Sequence, residues 1–482
     1  MTAAVAEALL APAMPWAMWT VVLPLALVAS ALPAGRRALP WLLLAGILGG
    51  VLAAAALTAQ VAHHGTLRYA LGGWSAPLGI ELRADGLAAA MVLTTALVAT
   101  PVAVHALAEF APAKGREAHG GRYFWPLLLF LWGALNAVFL SADLFNLYVA
   151  LELLTLAAVA LVTLEGDAAA LVAGMRYLLT ALLGSLAYLL GVGLIYAGYG
   201  TLDVGLLGAR VEPGVTESVA LGLMTVGLLA KTALFPLHFW LPPAHANAPA
   251  PASALLSALV VKASFYIVVR LWFDVFAPAV TPAATQLLGA LGAAAILWGS
   301  VLALRQGRLK LLIAYSTAAQ IGYLFLMFPL AGGGGEAQPW AAGGWTGGIY
   351  HAISHAFAKA AMFLAAGTII HALGHDTIDD LAGAARHLPV TVFALGLAGL
   401  TLMGLPPSGG FIAKWLLLTA AVASGQWWWA AVMLAGGLLA AAYTFRALAQ
   451  AFATPREKEE GEGGRFRAVP LRLELAPMLL AL

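Results

Sequence analysis

Runs of about 20 apolar residues recur along the chain, and each is long enough to cross roughly 30 Å of hydrocarbon as a helix. About thirteen such windows centre near residues 25, 50, 95, 132, 153, 185, 228, 260, 292, 320, 360, 403 and 438, joined mostly by short loops. A final run, "LELAPMLLAL", stops after about ten residues, roughly half a span. It reads as an incomplete fourteenth helix, and a cut in the sequence is the expected cause. The pattern predicts an all-α polytopic membrane protein of about 13 to 14 transmembrane helices.

Two places break the helical pattern at comparable depth. In "KTALFPLHFWLPP", Pro236 removes a backbone hydrogen bond about five residues after Lys231; in "GLPPSGGFIAK", Pro406, Pro407, Gly409 and Gly410 precede Lys414. Paired interrupted helices of this kind point to an inverted-repeat transporter with its site at the membrane midplane. The lysine stands before one break and after the other, which suits an inverted relation.

Composition agrees with the pattern: 62% of the 482 residues are hydrophobic, 10% are charged and the mean hydropathy is +0.91. A soluble domain has about a quarter of its residues charged. The absence of cysteine excludes thiolate-bound iron–sulfur clusters and disulfides from this chain. No cofactor is expected. The net charge of +2, with no basic cluster interleaved with aromatics, excludes a nucleic-acid partner. The Gly-rich "AGGGG" at 331–335 has no following GK[ST] and reads as an external loop, so ATP-driven transport is disfavoured.

The loop charges set an orientation. Arg36, Arg37, Lys114, Arg116, Arg122, Arg305, Arg308, Lys310, Arg386, Arg456, Lys458, Arg465, Arg467 and Arg472 fall on one side, and little beyond Arg68, Arg83 and Arg210 falls on the other. The positive-inside rule makes the basic side cytoplasmic and the amino terminus external. "PREKEEGEGGRFR" then becomes a solvated cytoplasmic stretch of mixed sign. The first apolar run lacks a basic n-region, because Arg36 and Arg37 follow it and "VASALPAG" ends it, so it is expected to stay as helix one.

Inside the spans lie Glu152, Lys231, His238, Lys262, His351, His355, Lys359 and Lys414. An ammonium at the bilayer centre costs about 2.5 to 3.5 kcal/mol on insertion scales, so such residues usually face a protein interior or a water-filled path. Singly, each could be a lysine snorkelling to the surface or a histidine satisfied by a carbonyl. Their spacing supports a shared role. His351, His355 and Lys359 are four apart and line one helix face; Lys231 and His238 share a face if the kink at Pro236 is mild. A metal or haem on the HxxxH pair is disfavoured, because a third protein ligand is wanting and the lysine continuing the stripe would repel the ion. Glu152 is the one acidic residue deep in a span, and its expected partner is Lys231. Burial disfavours both charged forms and pairing favours them, so making and breaking the pair would switch Lys231 between holding and releasing a proton.

These residues sit in motifs that resemble the antiporter-like membrane subunits of respiratory complex I, membrane-bound hydrogenases and Mrp-type cation/proton antiporters. The motifs are "DLFNLYVALELL" (143–154), "AKTALFPLHFWLPPAHANAPAPASALLSALVVK" (230–262), "GRLKLLIAYSTAAQIGY" (307–323), "YHAISHAFAKAAMFL" (350–364) and "GLPPSGGFIAKW" (404–415). Within the family the resemblance is nearest to the D-type subunit of Mrp antiporters. It implies fourteen helices with two inverted five-helix repeats, helices four to eight and nine to thirteen, and discontinuous helices 7 and 12. The corresponding divisions are residues 1–122, 123–275 (first repeat), 276–452 (second repeat) and 453–482 (linker and start of helix 14).

By the same resemblance Glu152 and Lys231 match the fifth- and seventh-helix pair, Lys262 the bridging lysine of helix eight, and Lys414 the lysine of helix twelve. His351, His355 and Lys359 would link the halves. The expected function is a proton-translocating subunit of a multisubunit Na⁺/H⁺ antiporter in an inner (cytoplasmic) membrane, with other membrane subunits, protons, Na⁺ and lipid as partners. The alternatives are the proton-pumping module of a complex I or hydrogenase type redox complex, and a proton-coupled inorganic-carbon uptake system. A lysine at 414 and the lack of room for a long lateral helix after residue 482 disfavour two of the complex I subunit types.

Overall fold

The computed structural model describes residues 14–31, 39–110, 119–331, 339–454 and 466–482. Arg36, Arg37, Lys114, Arg116, Arg456, Lys458 and Arg465 lie outside the described residues, as do most of "AGGGG" and of "PREKEEGEGGRFR", much of "VASALPAG" and the side chain of Arg122.

Apart from one-turn pieces, the helices are α1 (Trp16–Ala31), α2 (Leu39–His64), α3 (Gly86–Glu109), α4 (His119–Leu140), α5 (Leu144–Val162), α6 (Ala168–Tyr199), α7 (Val215–Thr232) and α8 (Leu241–Asn247). They continue as α9 (Ala250–Val275), α10 (Pro282–Leu304), α11 (Leu309–Ala331), α12 (Pro339–Leu373), α13 (Pro389–Met403), α14 (Gly409–Ala423), α15 (Trp427–Phe452) and α16 (Leu471–Ala481). Among the described residues, 11 helical segments are long and apolar enough to cross a membrane, α7 and α8 counting as one. Each expected window centre falls on a helix. The window at 403 is the exception in form, because the chain breaks there into the two 15-residue helices α13 and α14.

Helix starts are written in short polar residues. Asp85, Asp143, Asp167, Thr281 and Ser408 each accept a hydrogen bond from the backbone N–H three residues on, at 3.0, 2.8, 2.7, 3.2 and 3.1 Å, capping α3, α5, α6, α10 and α14. A side-chain oxygen there satisfies one of the donors that a helix start leaves free.

The departure from an all-helical chain is an antiparallel hairpin between α2 and α3, β1 (Leu67–Ala70) with β2 (Glu81–Ala84). In β2 the buried Leu82 and Ala84 alternate with partly exposed Glu81 and Arg83, the period of two that a strand imposes. Arg83 bridges Asp85 (3.1 Å) and Asp274 (3.4 Å), and Arg270 at the end of α9 bridges the same two carboxylates at 2.6 and 2.9 Å. Burial alone would raise the Asp85 carboxyl, but the Arg270 hydrogen bond and charge, with Ala88 N–H and Arg83, hold it below its usual range. The hairpin is thereby tied to α9.

Glycine sets the closest helix approaches. A Cβ on Gly227 of α7 would lie 2.2 Å from Gly184 O of α6, and one on Gly292 of α10 would lie 2.6 Å from Gly322 O of α11. Backbone cannot yield as a side-chain tip can, and small residues are what let membrane helices meet so closely. Gly227→Ala is therefore expected to lower the thermal unfolding midpoint in detergent, an overpacking cost of about 1 to 3 kcal/mol. Gly222, with open space around its Cβ position, provides the control: Gly222→Ala should be neutral or stabilising. Equal midpoints for the two variants would contradict the close-packing account.

Candidate functional site: a buried series of lysines and histidines

Both breaks are built alike. α7 ends on Ala233 in the left-handed conformation (φ 59°), and α13 ends on Gly404 (φ 78°). In each, the next N–H folds back to a carbonyl five residues earlier, Leu234 to Leu229 and Leu405 to Leu400, both at 3.1 Å. This closure suits a helix end followed by proline. It leaves carbonyls of the last turn for side chains: Trp240 Nε1 donates to Ala230 O at 2.9 Å, and Lys414 Nζ donates to Leu402 O.

The first break presents Lys231. Its Nζ lies 2.8 Å from Glu152 Oε1 and donates to Thr155 Oγ1 at 2.9 Å, both on α5. The hydroxyl of Ser185 on α6 donates to the same Glu152 oxygen. The ammonium is 5% exposed and the carboxylate 18%, so the pair is nearly removed from solvent, with the acid nearer to it. Three helices, α5, α6 and α7, converge on the pair.

The other lysines rest on neutral oxygens. Lys262 of α9 is fully buried and donates to Ser257 O, within a wide helical turn at residues 256–260. Such a turn frees a backbone oxygen inside a helix. Ser257 Oγ is 2.9 Å from Thr317 Oγ1 of α11. Lys359 of α12, also fully buried, donates to Ile313 O (3.1 Å) and to Ser316 Oγ, both on α11. Lys414 of α14 stands over the Tyr323 ring, its Nζ 4.1 Å from the centroid, a favourable cation–π placement. Among the described residues, none of these three ammonium groups forms an ion pair with a carboxylate.

The histidine stripe on α12 connects them. His351 stacks on His355 with ring centroids 5.8 Å apart, and its Nε2 is 3.3 Å from Gln320 O. His355 has neither ring nitrogen hydrogen-bonded among the described residues. Its electrostatic neighbours are Lys262 of α9, Lys359 and His351 of α12, and Lys414 of α14. A crevice of about 460 Å³, whose polar lining includes Ser354, Thr401 and Ser408, opens beside the second break.

Two expectations need correcting. The kink at Pro236 is not mild: the left-handed Ala233 ends α7, and residues 237–240 form a separate 3₁₀ turn. Lys231 and His238 therefore do not share a continuous face. His238 stacks on Phe235 and lines a small recess with Trp298 and Ala318. Lys310 is not a loop residue: it is buried at the start of α11, with Nζ donating to Ala248 O.

His245 was missed as well. It is fully buried, stacks on Phe363 at 4.6 Å and is within electrostatic reach of Lys310, Lys359 and Lys262. Its signal was a titratable residue inside "LPPAHANAP", masked by the prolines that read as a loop. Thr155, Ser185, Ser257 and Ser316 carry no signal in a single sequence, because hydroxyls are common in apolar helices.

Similarity to known proteins agrees with this geometry. Residues 141–440 match the family described as NADH:quinone oxidoreductase/Mrp antiporter, TM. The chain is 36% identical over 389 residues to NADH-quinone oxidoreductase subunit N of Desulforudis audaxviator, covering 80% of this chain and 75% of that one. It is 30% identical over 372 residues to the D-type Na(+)/H(+) antiporter subunit of Bacillus subtilis, covering 76% and 72%. In structure it superposes on a chain of the Mrp complex from Dietzia sp. DQ12-45-1b with a TM-score of 0.86, covering 97% of this chain and 92% of that one; at 24% identity this likeness speaks for the fold. The matched span holds Glu152, Lys231, Lys262, Lys359 and Lys414, both helix breaks and the histidine stripe, and the chain belongs to the NADH:quinone oxidoreductase/Mrp antiporter transmembrane family.

Proposed function

We propose that the chain is the proton-translocating subunit of a multisubunit monovalent cation/proton antiporter, with Na⁺ as the exchanged cation. The observation that carries this reading is the buried Lys231–Glu152 pair at the α7 break. In it, Glu152 holds Lys231 charged when the two touch, and separation leaves Lys231 free to give up its proton. Lys262, His351, His355 and Lys359 relay the proton between halves, Lys414 serves the second break, and His238 stands beside the first. The halves are the inverted repeats 123–275 and 276–452. This is supported by the matching closures at Ala233 and Gly404 and by lysines on opposite sides of them. Other membrane subunits complete the path. The loop charges favour an inner-membrane location with the amino terminus outside.

A second reading is a proton-pumping subunit of a redox complex, favoured by the 36% identity to NADH-quinone oxidoreductase subunit N. Electron carriers would then reside in partner chains. One assay separates the two: vesicles carrying the complex are given a pH gradient, and NaCl is added. Antiport predicts that Na⁺ collapses the gradient without any electron donor. A gradient that ignores Na⁺ and forms only with a reductant and quinone would overturn the antiport reading in favour of the redox pump.

A further inference from the structure

Helix α3 carries two titratable residues near its end, His105 and Glu109, four apart and therefore on one face. The His105 ring is fully buried. Its Nε2 lies 3.3 Å from Thr368 Oγ1 on α12, and its Nδ1 lies 3.3 Å from Glu109 Oε2. Thr368 decides the tautomer. Its hydroxyl donates to Leu473 O of α16 at 2.7 Å, a carbonyl whose ordinary helical partner is missing because Pro477 has no N–H. With its single hydrogen so placed, Thr368 Oγ1 can only accept from His105, so Nε2 carries the hydrogen and Nδ1 presents a lone pair.

Nδ1 and Glu109 Oε2 then face each other as two acceptors, both buried and otherwise without a hydrogen-bond partner among the described residues. A proton placed between these two acceptors would satisfy both. The site is built for it. Glu109 Oε1 accepts from Ala250 N–H of α9 at 3.3 Å, which fixes the carboxylate beside the ring. A Cβ at residue 367 would lie 2.3 Å from Ala250 Cβ, and 3.3 Å from His105 Cε1, so Gly367 lets α12 close on α9 beside the pair. The Glu109 side chain is 23% exposed, giving the buried ring a connection to the outside.

We propose that His105 and Glu109 form a proton-loading site that feeds the lysine–histidine series from the α3 side. Lys310 links the pair to the series: its Nζ donates to Ala248 O, two residues before the Ala250 N–H that holds Glu109, and it interacts electrostatically with Glu109 and with the buried His245 ring, which Lys262 and Lys359 reach in turn. Glu165, an exposed carboxylate in the turn between α5 and α6, also interacts electrostatically with Lys310 and Glu109, so a second acid flanks the same route. In each transfer a proton leaves one group as it binds the next, and nothing else moves.

The inference rests on the proton-translocation reading, and the test separates the two. Glu109→Gln keeps an oxygen for Ala250 N–H and offers an amide N–H to the Nδ1 lone pair, so the fold is satisfied but no proton can be carried. In proteoliposomes of the intact complex, proton flux should fall about 100-fold, the size of effect expected on losing a positioned proton-transfer group, with the unfolding midpoint unchanged. Glu109→Asp should restore part of the flux, which a purely packing role would not predict. Wild-type flux in Glu109→Gln, with Lys231→Ala lowered about 100-fold in the same assay, would overturn the loading site alone; wild-type flux in Lys231→Ala would overturn the translocation reading itself. Should Glu109→Gln fail to assemble, His105→Gln, which still reaches Thr368, is expected to show the same loss, and wild-type flux there overturns the proposal.

Discussion

Replacing Lys231 with alanine is expected to reduce proton flux about 100-fold while the chain still inserts and assembles. The ammonium is held by Glu152, at 2.8 Å, and by Thr155, and among the described residues no other titratable group donates to that carboxylate. Its loss interrupts the path at the pair where a proton can be held or released by moving a counter-charge. Insertion should survive, because a buried ammonium costs about 2.5 to 3.5 kcal/mol and alanine removes that cost. Glu152 keeps its Ser185 partner and is 18% exposed, so the carboxylate is not stranded without a hydrogen bond. Lys231→Arg should fail as fully. Arginine pairs with the carboxylate but stays protonated in proteins, and a relay needs a group that lets go. Flux in either variant near the wild-type rate, at equal expression by blot, would defeat the relay role.

The membrane architecture was legible because its cause is local. Apolar runs of span length can only be helices in lipid, so the thirteen window centres land on helices, and the two proline breaks land where the chain turns left-handed. The Lys231–Glu152 contact was legible because one acid in the middle of an apolar run calls for a cation from another run. The stripe His351, His355, Lys359 was legible from helical spacing alone.

What was not legible depends on contacts between distant segments. Pro236 could have kinked one helix or ended it, and Ala233 at φ 59°, unusual for a residue with a Cβ, decided the matter through packing that no local pattern reports. Lys310 looked like a loop cation because Arg305 and Arg308 precede it, yet Arg308 pairs with Asp376 at 2.8 Å while Lys310 turns inward to Ala248 O. The hairpin 67–84 is too short to stand out between two long helices, and Arg270 and Asp274, nearly 200 residues away, hold it. The neutral partners of Lys262, Lys359 and Lys414 were hidden for the same reason, since a carbonyl freed by a wide turn or a helix break has no letter in the sequence.

The central claim is that Glu152 and Lys231 act as one unit, and a double-mutant cycle on initial proton flux tests it most directly. Glu152→Gln retains an oxygen for Ser185 and Lys231 but removes the charge, leaving an ammonium with no counter-ion; Lys231→Met removes the ammonium and keeps an apolar chain of similar length. Each single change is expected to lower flux about 100-fold. The double variant should be no more than about threefold worse than either, because members of one functional unit are strongly non-additive. Losses that instead multiply, to about 10⁴-fold in the double variant, would show two independent groups and contradict the coupled pair.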